Sequence, residues 1–198
     1  VTFTYHYDQH GHLIGEYKNG KPVRDYLWAD AEPLMQVKIK PNGTIGHTTW
    51  ITTDHLSTPR IGTDENQVIV WKREGAAFGQ AKAEKDPDGD GKNRNIRLRF
   101  PGQLADSESG LYYNWNRYYD PGTGRYMTSD RIGLQGGINT FGYVRGNPLI
   151  QIDPHGLDNF RVHGFDVNNF PRTPAEAAAM QSTPLPSNAN VIGLYGEA

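Results

Sequence analysis

Short runs of aromatic and β-branched residues, each closed by Gly, Pro, Asp or Asn, recur along most of this sequence and leave little room for helices. The first is the clearest. Tyr5 and Tyr7 precede Asp8 and Gly11, and Leu13 to Tyr17 follow, reading as strand, turn, strand. In an extended chain alternate side chains share a face, so the Tyr and Leu positions can cover one side of a sheet while Asp8 and Gly11 shape the reversal. Hairpin candidates follow at residues 25–29 and 34–39, separated by Pro33 and closed by Pro41, Asn42 and Gly43. Residues 48–53, 67–72, 95–100 and 112–119 continue the pattern. Such an array predicts an all-β fold built on repeated antiparallel sheet.

At 198 residues the chain is long enough for one main body. Its 20 basic and 22 acidic residues nearly cancel, giving no long-range field that would recruit nucleic acid or an anionic membrane. It has no cysteine, hence no disulfide framework and no thiolate nucleophile, and the redox compartment stays open. Val1 to Asp8 alternates like a strand, without the basic start and apolar run of a signal peptide. No segment approaches the roughly 18 apolar residues of a membrane span. A chain opening at Val in mid-strand reads as a piece of a longer polypeptide.

After Leu157 the composition changes, dividing the chain into 1–157 and 158–198. The second part has Asn and Pro clusters and no continuing strand pattern. Thr173, Pro174 and Glu176 before an Ala-rich stretch resemble a capping box with Pro at the first helical position, which predicts a short helix in an otherwise irregular tail. Pro184 and Pro186 would end it. Forty-one residues of this kind make a weak independent core.

At the boundary, Pro148, Asp153, Pro154 and Gly156 lie in a turn-rich stretch ending at the Leu157–Asp158 peptide bond, and Asp130 lies 23 positions before Asp153. Two carboxyls that share one proton can hydrolyse a peptide bond: the ionised group takes a proton from water and the protonated one polarises the carbonyl. The same residues also have plain structural readings. Asp130 can cap a turn after Thr128 and Ser129, and Asp153 can start an Asx-Pro turn completed by Gly156.

Other clusters point less far. Asp86, Asp88 and Asp90 before Gly91 begin like a calcium loop, but Arg97 stands where an EF-hand needs a bidentate acid, so a solvent-exposed loop is expected. His6, His10 and His12 flank the first hairpin without an obvious fourth ligand, and a surface or structural role is expected. Arg94, Arg97 and Arg99 border an apparent strand and read as a solvated face. No Gly-rich loop carries the Lys-Ser/Thr signature of a nucleotide cradle.

Tyr5, Tyr7, Asp8, Gly11 and Leu13 match a YD repeat, residues 54–60, 100–103 and 118–126 look like successive landmarks of a longer core, and 131–157 completes them. Over residues 1–157 the chain resembles the self-cleaving end of the bacterial Rhs/YD-repeat core. It departs at Ser57, commonly Gly there, and at Arg131, commonly Pro. The resemblance implies antiparallel strands forming the closing part of a spiral β-shell, or cocoon, around a C-terminal toxin whose start is 158–198. It implies single-turnover, aspartyl-protease-like cleavage in cis between Leu157 and Asp158 by Asp130 and Asp153. Arg125, at a basic family position, would orient a carboxylate or stabilise the oxyanion. Pro148, Pro154 and Gly156 would shape the substrate loop, and an apolar pocket would hold Leu157.

No cofactor or metal is implied. The implied partners are the remainder of the shell, the enclosed toxin, a secretion-apparatus component (commonly of type VI), a chaperone and an immunity protein. The implied setting is interbacterial competition, with assembly in the bacterial cytoplasm and then secretion or delivery into a target cell. One alternative is a non-cleaving structural encapsulation or surface-interaction module. Another makes 158–198 itself the active toxin or membrane peptide, which its low hydrophobicity and weak cationic character disfavour.

Overall fold

Side-chain alternation organises the first half of the chain into a single meander. Strands β1 (Phe3–Tyr7), β2 (Leu13–Lys18), β3 (Lys21–Ala29), β4 (Glu32–Ile39), β5 (Ile45–Thr53), β6 (Pro59–Thr63), β7 (Ile69–Arg73) and β8 (Ala83–Glu84) pair antiparallel in strict chain order. The structure, a computed structural model, describes residues 1–157 and, beyond them, the strand Phe160–Arg161. The expected helix near Thr173 and the side chain of Asp158 lie outside the described residues.

Three of the connecting turns share one design. Asp8, Asp54 and Asp64 each accept on Oδ1 the backbone N–H groups two and four residues on, at 2.8–3.0 Å. In each the residue three positions on is left-handed: Gly11 (φ 86°), Ser57 (φ 60°) and Gln67 (φ 63°). Ser57 therefore occupies a backbone state that glycine adopts without strain, which fits the Gly that the resemblance implies there. Pro33 was expected to separate two hairpins. It lies instead inside β4, opposite Trp28, where the register shifts between Leu27 and Trp28 and the ladder tolerates a residue without an N–H.

The inner face of the meander carries Leu13, Tyr26, Ile51 and Trp71, and Ile96, Leu98 and Leu104 pack over it. Residues 95–100, expected as a strand, make only the isolated bridge Leu98↔Leu104. The alternation persists, since Ile96, Leu98 and Phe100 are all buried, and around the bridge Arg99 N donates to Gln103 O at 3.0 Å and Ala105 N to Arg97 O at 2.8 Å, with arginine side chains taking further carbonyls. Arg97 Nε donates to Ala105 O, and Arg99 Nη1 donates to Ile96 O and Leu98 O. The expectation of a solvated arginine face is corrected accordingly: Arg94 is buried, and Arg97 reaches the fully buried Glu16 at 2.9 Å.

Glu16 also accepts from Arg24 Nη1 at 2.9 Å and from the Tyr26 hydroxyl at 2.5 Å. Removing the carboxylate would leave two guanidiniums without their shared counter-charge. Glu16→Ala is expected to cost about 3–5 kcal/mol, the usual penalty for breaking a buried ion pair from one side, measured by urea unfolding.

The second sheet orders as β12 (Arg125–Tyr126), β11 (Arg117–Asp120), β10 (Tyr112–Asn114) and β9 (Leu104–Ala105). The run expected at 112–119 is thus a tight hairpin around Trp115, whose φ is 51°. Its inward face carries Tyr112, Asn114, Arg117, Tyr119 and Tyr126. Tyr119 is the hub of a tyrosine cluster completed by Phe100 and Tyr143, with ring centroids 4.8–6.5 Å apart around it. The strand β13 (Gln151–Ile152) pairs with β14 (Phe160–Arg161), so the two sides of the Leu157–Asp158 bond are drawn back onto each other.

Candidate active site

The inward parity of β11 fixes the centre of the site. Because Tyr119 points into the core, Arg117 two residues earlier shares its face and is buried. A buried guanidinium needs acceptors, and this one has four distinct groups around it. Arg117 Nη2 lies 2.9 Å from Asp130 Oδ2 and 3.3 Å from Asp153 Oδ2. Its Nε donates to Gly156 O at 2.6 Å and its Nη1 to Thr140 O at 3.1 Å. Its Cζ sits 3.6 Å over the Tyr126 ring, a cation–π contact in a dry setting.

Asp130 and Asp153, separated by 23 positions, thus meet at one guanidinium nitrogen, both buried. Asp130 is fixed by its own N–H, which donates to Thr140 O at 2.9 Å, and by Oδ1, which accepts from Ile132 N at 3.0 Å. Asp153 Oδ2 accepts the Tyr126 hydroxyl at 2.7 Å, while Oδ1 accepts Leu157 N at 2.9 Å. Asn114 Nδ2 ties the arrangement together, donating to the Tyr126 oxygen at 2.7 Å and to Asp153 O at 2.9 Å. Burial pushes the Asp153 carboxyl above its ordinary value, and the Tyr126, Leu157 and Arg117 donors offset this only in part. Burial beside Asp153 likewise raises the Tyr126 phenol, which stays a neutral donor.

Leu157, whose carbonyl is expected to be attacked, is tied to this pair through its N–H on Asp153 Oδ1. A methyl group at Gly136 would fall 2.6 Å from Asp130 Oδ2 and 3.2 Å from Leu157 O, so the carboxylate and the Leu157 carbonyl crowd the same glycine. Pro154 is gripped from the other side: its carbonyl lies 1.9 Å from where a side chain on Gly102 (φ 82°) would begin. Gly156 (φ 67°) approaches Asn114 O so closely that a Cβ would be 2.5 Å away. Pro148 is buried at the start of the loop. Leu157 is half-buried and does not line the cavity of about 380 Å³ bordered by Pro154, His155, Trp28, Phe100 and Trp115, so that cavity is not the apolar pocket expected to hold it.

Arg125 does not join the pair. It follows the buried-exposed alternation of β12, and with Tyr126 inward its own side chain is exposed. The positive group beside the carboxylates is Arg117, which sequence reading passed over. Gly102→Ala is expected to displace Pro154, lower stability by a few kcal/mol through strain and overpacking, and slow any reaction at Leu157; thermal melts and a cleavage time course check both effects.

Among known proteins, no family model matches the chain. It is 36% identical over 146 residues to "Probable deoxyribonuclease RhsA" of Dickeya dadantii, covering 73% of this chain and 10% of that protein. The chain is an Rhs-associated protein. This Rhs-associated chain is also 35% identical over 135 residues to "Toxin protein Tse5" of Pseudomonas aeruginosa, covering 68% of this chain and 10% of that protein. "Double-stranded DNA deaminase toxin A" of Burkholderia cenocepacia is 37% identical over 130 residues, covering 62% of this chain and 8% of its own length. The Rhs-associated chain thus spans about a tenth of the length of these relatives. Its fold is shared with the TcdB2-TccC3-TEV crystal structure, at a TM-score of 0.54, 20% identity, and coverage of 78% of this chain and 9% of that one.

Proposed function

We propose that this chain is the closing end of an Rhs shell and that it hydrolyses its own Leu157–Asp158 bond, with 158–198 the start of the released toxin segment. The observation that carries the reading is the pair of buried carboxylates held on Arg117 beside the Leu157 carbonyl. Two carboxylates and one guanidinium carry one net negative charge, so a single shared proton makes the buried cluster neutral. That is the state a water-activating pair requires. Asp153, whose proton affinity burial raises, is placed to hold the shared proton that polarises the Leu157 carbonyl. Asp130, ion-paired with Arg117 at 2.9 Å, is the carboxylate placed to take a proton from the attacking water. The tetrahedral intermediate then collapses, the Asp158 nitrogen leaves protonated, and Leu157 becomes a carboxylate. Because nucleophile site and scissile bond belong to one chain, proximity replaces substrate affinity, and each chain turns over once.

The shell reading has separate support. The outer edge of β1 has no strand on it among the described residues, and an open edge of a regular meander is a natural place for further strands. The relatives bear the names of a deoxyribonuclease, a DNA deaminase toxin and a toxin protein, yet they share the portion matched here. A common portion attached to different activities suits packaging and processing rather than the toxic activity itself. On this reading the partners are the rest of the shell, its cargo, and a delivery apparatus, chaperone and immunity protein, and the setting is toxin delivery between bacteria.

A non-cleaving encapsulation module remains the second reading, favoured by the turn bonds that Asp130 Oδ1 and Asp153 Oδ1 also make. The pH dependence of cleavage separates the two. Loss of the shared proton removes the acid, so the rate should fall as pH rises through a value above the ordinary carboxylate range, in the direction of the Asp153 shift. N-terminal sequencing of the separated fragment should begin at Asp158; a folded chain inert across the whole pH range supports the structural module instead.

A further inference from the structure

The first hairpin turn is built like those at Asp54 and Asp64 but is furnished differently. At the positions two and four residues after the aspartate, where the other turns have Leu56 and Thr58 or Asn66 and Val68, this one has His10 and His12. In the Asp54 turn the free Oδ2 is satisfied by a fixed cation, with Arg60 Nη2 at 2.7 Å. In the Asp8 turn Oδ2 meets an imidazole instead, His12 Nδ1 at 3.0 Å. The donor atoms of Asp8, His10 and His12 all lie within 4.8 Å of one another.

We propose that Asp8, His10 and His12 form a binding site for one borderline divalent metal ion of the zinc class. Two of the ligands are held in place before any ion arrives. Asp8 Oδ1 is occupied by the His10 and His12 N–H groups, which aims Oδ2 across the turn. The His12 ring is stacked on Trp28, with centroids 4.7 Å apart and planes at 17°. Its 3.0 Å approach to Asp8 is close to the roughly 3.3 Å edge of a tetrahedron with metal–ligand bonds near 2.0 Å. His10, exposed, with its ring centroid 6.0 Å from that of His12, needs only a side-chain rotation to close the set. Two imidazoles and a carboxylate leave one position for water, the composition that zinc, cobalt and nickel accept and calcium does not.

The all-carboxylate group at Asp86, Asp88 and Asp90 does not compare, since Lys92 Nζ already lies 2.9 Å from Asp90 Oδ2 and no nitrogen ligand is present. His6, the third histidine of this region, stacks on Tyr17 at 4.4 Å and provides an internal control.

The test is calorimetric titration of the metal-stripped full chain with Zn²⁺, alongside Co²⁺ titration read by visible d–d absorption. One Zn²⁺ per chain is expected, with a tetrahedral or five-coordinate cobalt spectrum. His10→Ala should weaken binding by more than the roughly tenfold typical of losing even an outer-sphere partner. Because His10 is exposed, this variant should keep the parent's circular dichroism, and His6→Ala should bind as the parent does. Absence of saturable binding at one ion per chain, or equal affinity in the parent, His10→Ala and His12→Ala, would overturn the site.

Discussion

Asn at position 130 or at position 153 is expected to leave the chain whole while the fold survives. Each change keeps the side-chain shape and the turn bonds that Oδ1 accepts, Ile132 N for Asp130 and Leu157 N for Asp153. What it removes is the ability to hold or pass the shared proton. Loss of one member of a catalytic constellation typically costs about 10³- to 10⁴-fold or more, enough to carry a single-turnover reaction from complete to undetectable over the life of a preparation. The Asp153 variant also puts an amide N–H where the Tyr126 hydroxyl and Arg117 donate, so its residual rate should be the lower of the two. Gel densitometry of freshly prepared and aged parent and variants measures the effect, with near-ultraviolet circular dichroism from the tyrosine cluster confirming the fold. Normal processing in both variants would remove the pair from the mechanism.

Arg117→Ala should have the largest effect on stability. The truncation strands two buried carboxylates and leaves Gly156 O and Thr140 O without their donor. Removing one partner of a buried pair costs about 3–5 kcal/mol, and here one cation serves two carboxylates and two carbonyls, so the upper end is expected. Cleavage should be lost with it. Arg117→Lys keeps the charge but not the planar fork that reaches all four groups, so it should fold better than the Ala variant and still process slowly. Arg125→Ala should shift stability by no more than about 0.5 kcal/mol and process normally, because that side chain is exposed. Urea midpoints and cleavage half-times for the three variants decide between the two arginines. If Arg125→Ala stopped cleavage while Arg117→Lys did not, the geometry described for the site would be wrong.

Much of the fold could be read from alternation and turn chemistry, because a hairpin is a local object. Tyr5 to Tyr17 contains its strands and its reversal within thirteen positions. What escaped was decided by partners distant in sequence. Residues 95–100 have strand-like alternation, but how long a ladder such a segment gains depends on what edge is available, and here it pairs only around Leu98↔Leu104 while Arg97 and Arg99 satisfy further backbone carbonyls. Their solvated reading failed for a related reason, since the buried Glu16 that draws Arg97 inward lies 81 positions away.

At the site, Asp130 and Asp153 were found through motif resemblance, and their meeting is a product of the tertiary fold. Arg125 is favoured by resemblance because it holds a basic family position, but its strand neighbour Tyr126 faces inward, and neighbours on a strand point to opposite faces. The missed signal was parity: Arg117, Tyr119 and the cross-strand partner Tyr126 share the inward face, and an inward arginine requires carboxylates. The turn at Asp8 was read as a surface hairpin from spacing alone, and only the folded geometry shows Asp8 and His12 facing one another.

The central claim is that this fold cuts its own chain after Leu157. It is tested most directly by the intact mass, under denaturing conditions, of the parent chain expressed within its full-length polypeptide and purified folded. Two masses that meet at the Leu157–Asp158 bond are the predicted result. A single unbroken mass from folded protein, stable over days across the pH range, would contradict the account.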